Sequence, residues 1–146
     1  MKASIIVITL LTFLTLTTSC STEERKVNKV ARGYLEATAD YDFDKAAYFA
    51  DEATQKSTLF YYKYVLLPVT DSLEIEKNKP ATVGIDSTVF TTDSSAIVYF
   101  WKKTPIRTGK GKLSMRMQES GWKAHVVITP APGTEIPPEA DTVTLH

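Results

Sequence analysis

Apolar residues recur with the period of a helix in the first half of the chain. One predicted helix face carries Val27, Val30, Ala31, Tyr34, Leu35 and Thr38. The charged residues between them lie mostly off that face, so the pattern predicts a helix that buries one side. A short second helix is predicted after Tyr41, with Asp42 or Asp44 as its N-cap, because an aspartate side chain accepts hydrogen bonds from the free N–H groups of a first turn.

A third helical segment, rich in aromatic residues, is predicted from about Ala53 to Leu67. Pro68 follows it directly and lacks the N–H group that a helix interior needs. The proline therefore either kinks this helix or begins a further turn toward Lys77, since proline is favoured in the first turn of a helix. The sequence leaves both possibilities open.

Beyond Pro80 the apolar period changes from helical to alternating, which predicts strands over residues 81–90, 95–103, 110–119 and 122–129. Short turns separate these segments and favour an antiparallel meander. In the third strand Leu113 and Met115 alternate with polar residues, as expected where helices cover one face. Alternation in the fourth strand places His125 on the opposite, outer face. The predicted fold is α+β, with N-terminal helices on one face of a four-stranded antiparallel meander sheet.

The second predicted strand has apolar side chains on both faces. Its outer row consists of Ile97, Tyr99 and Trp101. Such a row needs a cover, because a contiguous exposed apolar patch on a soluble protein usually marks a contact surface. Either the proline-rich tail or a loop covers it, or it is an interface with a second copy of the chain or with a partner protein.

The first residues have the composition of an export signal. Lys2 precedes an apolar run from Ile5 to Leu16, and small hydroxyl residues then lead to Cys20, the only cysteine. The run is too short for a transmembrane helix, which needs about 20 residues. We therefore expect residues 1–19 to be a removable signal peptide, 20–24 a tether, 25–129 one domain and 130–146 a proline-rich extended tail.

Cys20 and the residues before it resemble a bacterial lipobox. A lipobox usually has leucine three positions before the cysteine, where this chain has Thr17, and relaxed lipoboxes of this kind are similar to those of Bacteroidetes lipoproteins. The resemblance implies that Cys20 carries acyl chains such as palmitate, which would hold the protein on a membrane. Ser21 is similar to the pattern that permits export to the outer membrane, in either leaflet. The alternative is ordinary signal-peptidase cleavage, which leaves Cys20 as a free thiol.

Charge argues against nucleic acid as a partner. The chain has 17 basic and 17 acidic residues, whereas nucleic-acid-binding domains carry a marked positive excess. Basic residues are nevertheless concentrated from Lys102 to Lys123, where Glu119 is the only acidic residue. They form either an ordinary solvated face or a weakly basic surface for an anionic glycan, a lipid headgroup or the acidic patch of another subunit.

The chain has no sequence motif of catalysis. It lacks a glycine-rich phosphate loop, paired histidines or cysteines at metal-ligand spacing, and a nucleophile elbow. Asp40, Asp42 and Asp44 alternate as in a calcium loop, but the glycine and the bidentate glutamate of an EF-hand are missing, so helix capping explains them better. We expect no metal, no cofactor and no catalytic residue.

The order of the predicted elements resembles the nuclear transport factor 2-like superfamily, particularly small bacterial lipoproteins with a cystatin-like sheet. The segments that carry the resemblance are Val30–Ala37, with Gly33 as an extra residue, Tyr41–Ala47 and Glu119–Lys123. It covers about residues 23–128 and implies a cone between helices and sheet that takes a small apolar ligand. The implied lining is Tyr34, Leu35, Phe49, Phe60, Tyr64, Met115, Met117 and Trp122.

These expectations describe a membrane-tethered, non-enzymatic lipoprotein that binds a ligand in the cone or a partner on the outer sheet face. Members of the superfamily include isomerases and dehydratases with polar groups inside the cone, so such an enzyme is an alternative. It would need an inward acid–base group such as His125, Asp86 or Glu119. A purely structural lipoprotein is the third possibility, favoured if the cone is fully packed.

Overall fold

Helices lie on one face of a single antiparallel sheet in the computed structural model, which describes residues 22–127. Helix α1 includes residues 22–39, and helix α2 is Phe43–Phe49. Helix α3 begins with Glu52–Thr54, continues through the π-helical stretches Gln55–Leu59 and Tyr62–Leu66, and ends in the 3₁₀ turn Leu67–Val69. Helix α4 is Ser72–Lys77. The strands are β1 (Thr82–Thr92), β2 (Ser95–Lys103), β3 (Thr108–Gln118) and β4 (Gly121–Ala124), hydrogen-bonded in that order. The predicted α+β class and four-stranded meander are confirmed.

Each helix after α1 begins at an aspartate. Asp42, Asp51 and Asp71 are the N-caps of α2, α3 and α4, and each carboxylate accepts a hydrogen bond from a backbone N–H of the first turn. Pro68 lies in the 3₁₀ turn that ends α3, after which Asp71 restarts the helix. Of the two outcomes that the sequence left open, the further turn toward Lys77 is therefore the one found.

The two faces of the sheet follow from the register, because residues directly opposite one another share a face. The inner face, toward the helices, contains the rows Phe90–Ala96–Met115–Ala124, Thr88–Val98–Leu113, Ile85–Phe100–Gly111 and Val83–Lys102–Gly109. The outer face contains Val89–Ile97–Ser114, Ser87–Tyr99–Lys112, Gly84–Trp101–Lys110 and Ser95–Arg116–Lys123. The apolar inner rows thus form the core, as the alternation predicted.

Helix α1 crosses the inner face from β4 to β1. Near its start, Trp122 Nε1 donates to Glu23 Oε2 at 3.1 Å. Farther along, Thr88 Oγ1 donates to Asn28 Oδ1 at 2.5 Å, and Arg32 Nη1 donates to the carbonyl oxygen of Val83 at 3.1 Å. These bonds set the direction of the helix across the sheet. The sheet itself is open, and the closed cone implied by the resemblance stays a prediction.

Strand β4 is shorter than the sequence predicted, since it ends at Ala124 rather than at residue 129. Beyond its end, the N–H of Val126 donates to Thr54 Oγ1 at 2.8 Å, and Thr58 Oγ1 donates to the carbonyl oxygen of Val126. Side chains of α3 therefore satisfy the backbone groups that a further strand would otherwise pair. An isolated parallel β-bridge also joins Ala124 to Ala50, two residues before α3 begins.

Candidate functional site

The predicted lipidation site, Cys20, lies outside the described residues, just before α1. Helix α1 is already formed at Thr22. Within residues 22–127, none of the helices combines the length and the apolar character needed to cross a membrane. Attachment to a membrane through Cys20 stays a prediction.

The residues proposed to line the cone fall into two groups. Tyr34, Leu35, Met115 and Trp122 are at most 7% exposed and belong to the core. Burial, with smaller contributions from Tyr62 and Asp51, raises the pKa of Tyr34 far above its usual value, so its hydroxyl stays protonated. Because these side chains contact the rest of the core, a ligand could reach them only by displacing it.

The other predicted lining residues lie nearer the surface. Phe49 is half-buried and its ring lies over Gly33, where an added Cβ would approach the ring to 2.5 Å. Phe60 and Tyr64 contact each other with ring centroids 4.9 Å apart, while Tyr64 is 59% exposed. Met117, at the far end of β3, is 38% exposed. The eight residues therefore do not line one common cavity.

A shallow groove of about 130 Å³ lies between α2 and α3. Phe60 and Tyr64 line it, together with Lys63, whose Nζ lies 2.5 Å from Asp44 Oδ1 at the same place. Drug-sized ligands occupy about 300–1,000 Å³, so this groove is too small for one. Its lining is mostly apolar, and the Lys63–Asp44 ion pair is part of the same lining.

Asp51 and His125 form a partly buried acid–base pair at the edge of β4. His125 Nδ1 lies 2.5 Å from Asp51 Oδ2, and the side chains are 18% and 4% exposed. The other carboxylate oxygen, Oδ1, accepts from Thr54 N at 2.8 Å and from Thr54 Oγ1 at 2.6 Å. Burial acts to raise the pKa of Asp51, but the hydrogen bonds from Thr54 and His125 outweigh it and hold the pKa below its ordinary value.

His125 was predicted on the outer face of the sheet, and its ring is found at the edge of β4, 18% exposed and in contact with Asp51. Strand β4 ends at Ala124, but the N–H of His125 still donates to the carbonyl oxygen of Ser114 in β3 at 2.8 Å. On the other side of the chain, the N–H of Asp51 donates to the carbonyl oxygen of Ala124 at 3.0 Å. An aspartate bound to Nδ1 holds an imidazole in the tautomer that a general base needs. Neither Asp51 nor His125 lines the groove between α2 and α3, and the pair joins the N-cap of α3 to the end of β4.

The other two acid–base residues considered for an enzyme, Asp86 and Glu119, do not point into the space between the helices and the sheet either. Asp86 lies at an irregularity of β1 and its Oδ2 is 3.8 Å from Lys110 Nζ, an exposed pair. Glu119 is exposed in the turn between β3 and β4. Among residues 22–127, no cluster of three or more histidine, aspartate or glutamate side chains could hold a metal ion.

The outer face of the sheet combines apolar side chains with cations. Tyr99 and Val89 are 42% and 49% exposed, and Ile97 and Trp101 are partly exposed beside them. Trp101 lies flat over Gly84, where an added Cβ would approach the indole ring to 2.2 Å. The predicted row Ile97, Tyr99 and Trp101 is therefore one continuous surface with Val89, and we call these four residues the outer patch.

Basic residues border the outer patch on the β3 side. Lys112 lies opposite Tyr99, and Arg116 lies opposite Ser95, one row beyond Ile97. Neither cation has an ion-pair partner within the part of the chain that the structure describes. The surface therefore has an apolar centre and a positively charged border.

Comparison of this chain with known protein families, with curated proteins and with solved structures found no match. The argument for a function therefore comes from the geometry of the chain itself.

Proposed function

We propose that this chain is a non-enzymatic binding module of the cell envelope, anchored at the outer membrane by lipid on Cys20. It would bind a protein partner on the outer patch. The observation that carries this proposal is the exposure of Val89 and Tyr99 beside Ile97 and Trp101 on a sheet face that no described helix covers. Tyrosine and tryptophan are enriched at protein interfaces, and contiguous apolar patches of this kind commonly mark them.

Charge favours a particular kind of partner. Lys112 and Arg116 border the outer patch, and Asp86 is the one carboxylate on the β1 side, where Lys110 already accompanies it. A two-fold dimer would bring each outer patch against its own copy and place cations near cations. A second envelope protein with an apolar centre and a rim of carboxylates fits better, because its charges would be complementary.

A ligand in the helical interior has weaker support. Tyr34, Met115 and Trp122 are buried side chains of the core, and the groove beside Phe60 and Tyr64 is small. A fully packed interior favours either the outer-patch function or a purely structural lipoprotein. The exposed aromatic residues of the outer patch distinguish these two, since a structural protein gains nothing from leaving them in water.

The test is native mass spectrometry of the full-length protein extracted from its own membranes in mild detergent. The expected spectrum shows a protein with the mass of acyl chains on Cys20, in a complex with a second, acidic protein. Tyr99→Glu and Arg116→Glu should each remove that complex. Val69→Glu is the matched control, because Val69 is 78% exposed on α3, away from the sheet, and its variant should keep the complex.

The proposal has clear contrary outcomes. A complex that survives Tyr99→Glu would place the interface elsewhere, and a homodimer that Tyr99→Glu splits would replace the acidic partner with a second copy. A protein that is monomeric in the spectrum would favour the third possibility, a purely structural lipoprotein. An unmodified Cys20 would remove the lipid anchor and leave the outer patch to be judged by the complex alone.

A further inference from the structure

A small cavity opens at the loop end of the β2–β3 hairpin. Its volume is about 200 Å³, and its lining is Phe100, Lys102, Thr104, Arg107, Gly109 and Lys110. Phe100, Lys102 and Gly109 are inner-face positions and Lys110 is an outer-face position, so the cavity lies at the hairpin end of the sheet, mainly on the helix-covered face. It is distinct from the groove between α2 and α3.

Two features of the local backbone create this space. Gly109 lies directly opposite Lys102, and an added Cβ at Gly109 would meet nothing within 4 Å. The hairpin loop is held closed by Thr104, whose N–H donates to the carbonyl oxygen of Arg107 at 2.8 Å and whose Oγ1 accepts from Arg107 N at 3.2 Å. The loop therefore fixes the backbone from which the Arg107 side chain extends.

Two of the three cations that line the cavity have no direct ion-pair partner among residues 22–127. Lys102 is partly buried, and neither it nor Arg107 forms an ion pair within residues 22–127. Burial, and secondly the charge of Arg107, lower the pKa of Lys102, while Asp40 opposes this from beyond ion-pair distance. Placing a cation in a partly desolvated position without a counter-ion is unfavourable, and a bound anion would remove that cost.

We propose that this cavity binds a phosphate group, held by Lys102 and Arg107. A guanidinium presents parallel N–H donors that match the oxygens of a phosphate, and an ammonium adds a compact charge. The cavity is smaller than the roughly 300–1,000 Å³ of a site for a whole drug-sized ligand, so it accommodates the anionic group and not a large body. The inference goes beyond the proposed function, because it uses the hairpin end of the inner face rather than the outer patch.

The test is to titrate the full-length protein, in maltoside detergent and at constant ionic strength, with inorganic phosphate. Backbone amide chemical shifts measured by NMR report the binding. Saturable shifts are expected for residues of the 100–111 hairpin. Lys102→Met and Arg107→Gln should each weaken binding by about tenfold or more, as expected for loss of a charge-assisted hydrogen bond. Lys112→Met, on the outer face, is the matched control and should bind as the unaltered protein does.

A second titration identifies the source of the phosphate. Dihexanoylphosphatidic acid, added to the same micelles, presents a phosphate monoester on a lipid. Saturable hairpin shifts with this lipid alone would assign a lipid headgroup, and shifts with both ligands would assign phosphate in general. Shifts that do not saturate with either ligand, or that weaken equally in Lys112→Met and Lys102→Met, would overturn the site. The spectrum of Lys102→Met outside the hairpin verifies that this variant is folded.

Discussion

The two faces of the sheet are built from the same strands but differ in how far their apolar side chains are buried. On the inner face Val98 and Met115 are fully buried and Ala96 is 1% exposed. On the outer face, Tyr99 and Val89 are 42% and 49% exposed, although Tyr99 directly follows Val98 in the chain. The difference is due to what covers each face, since α1 crosses one face and no described helix crosses the other. Apolar composition alone therefore does not identify the core of β2.

Each face also contains an aromatic ring packed on a glycine of the neighbouring strand. Phe100 lies over Gly111 on the inner face, where an added Cβ would approach the ring to 2.7 Å, and Trp101 lies over Gly84 on the outer face. These consecutive aromatic residues point in opposite directions. On the outer face the contact covers a glycine of the edge strand β1, which is a recognised way to stabilise such a position.

The largest expected difference between the faces is in the free energy of unfolding. Met115→Ala should cost about 2–5 kcal/mol, because it leaves a cavity among fully buried side chains. Tyr99→Ala should cost less than about 1 kcal/mol, since the side chain is partly hydrated already. Urea denaturation of both variants measures this. Equal losses would mean that the outer patch is covered in the folded protein.

The next largest expected change in the free energy of unfolding is at the end of β4, where Asp51 contacts Thr54 and His125. Asp51→Asn should cost about 1–3 kcal/mol at neutral pH, because the amide cannot accept from both Thr54 and His125 as the carboxylate does. The pKa of Asp51 is lowered on folding, so its stabilisation is complete above the unfolded value, near 3.8, and is lost as the pH falls through the folded value. The difference between Asp51→Asn and the unaltered protein should therefore shrink in acid.

The control for this effect is another N-cap aspartate. Asp42 caps α2 and accepts from Lys45 N at 3.0 Å, but it is exposed. Asp42→Asn should cost no more than a few tenths of a kcal/mol, since asparagine is an equally good N-cap. Urea denaturation at neutral pH and below pH 3.8 covers both variants. A penalty at Asp51 that persists unchanged in acid would show that packing, and not the carboxylate charge, seals the edge.

Local patterns were sufficient to predict much of the fold. The spacing from Val27 to Thr38 predicted α1, and alternation in β3 separated Leu113 and Met115 from their polar neighbours. These predictions succeed because each rests on residues a few positions apart. The π-helical stretches in α3 and the early end of β4 were not predicted, since Thr54 and Val126 meet from distant parts of the chain.

The candidate sites were less predictable for the same reason. The outer row of β2 was visible because both faces of one strand are apolar. The Asp51–His125 pair was missed because it depends on where β4 ends. Lys102 had a local signal, since it continues the inner alternation of Ala96, Val98 and Phe100 with a cation. Lys102 was grouped with the surface lysines. Its place in an otherwise apolar row indicated instead that this lysine is partly buried.

The smallest expected effect compares two glycines that each lie opposite a side chain of β2. Gly84→Ala should cost about 1–2 kcal/mol, because the new Cβ would lie 2.2 Å from the indole of Trp101 and the ring must move. Gly109→Ala should be neutral or stabilising by up to about 1 kcal/mol, since its Cβ enters open space and the unfolded chain loses freedom. Thermal unfolding and tryptophan fluorescence distinguish the two variants. A red shift of tryptophan emission in Gly84→Ala alone is expected if this glycine positions the Trp101 ring at its end of the outer patch. Unchanged emission and stability would mean that the patch does not depend on this contact.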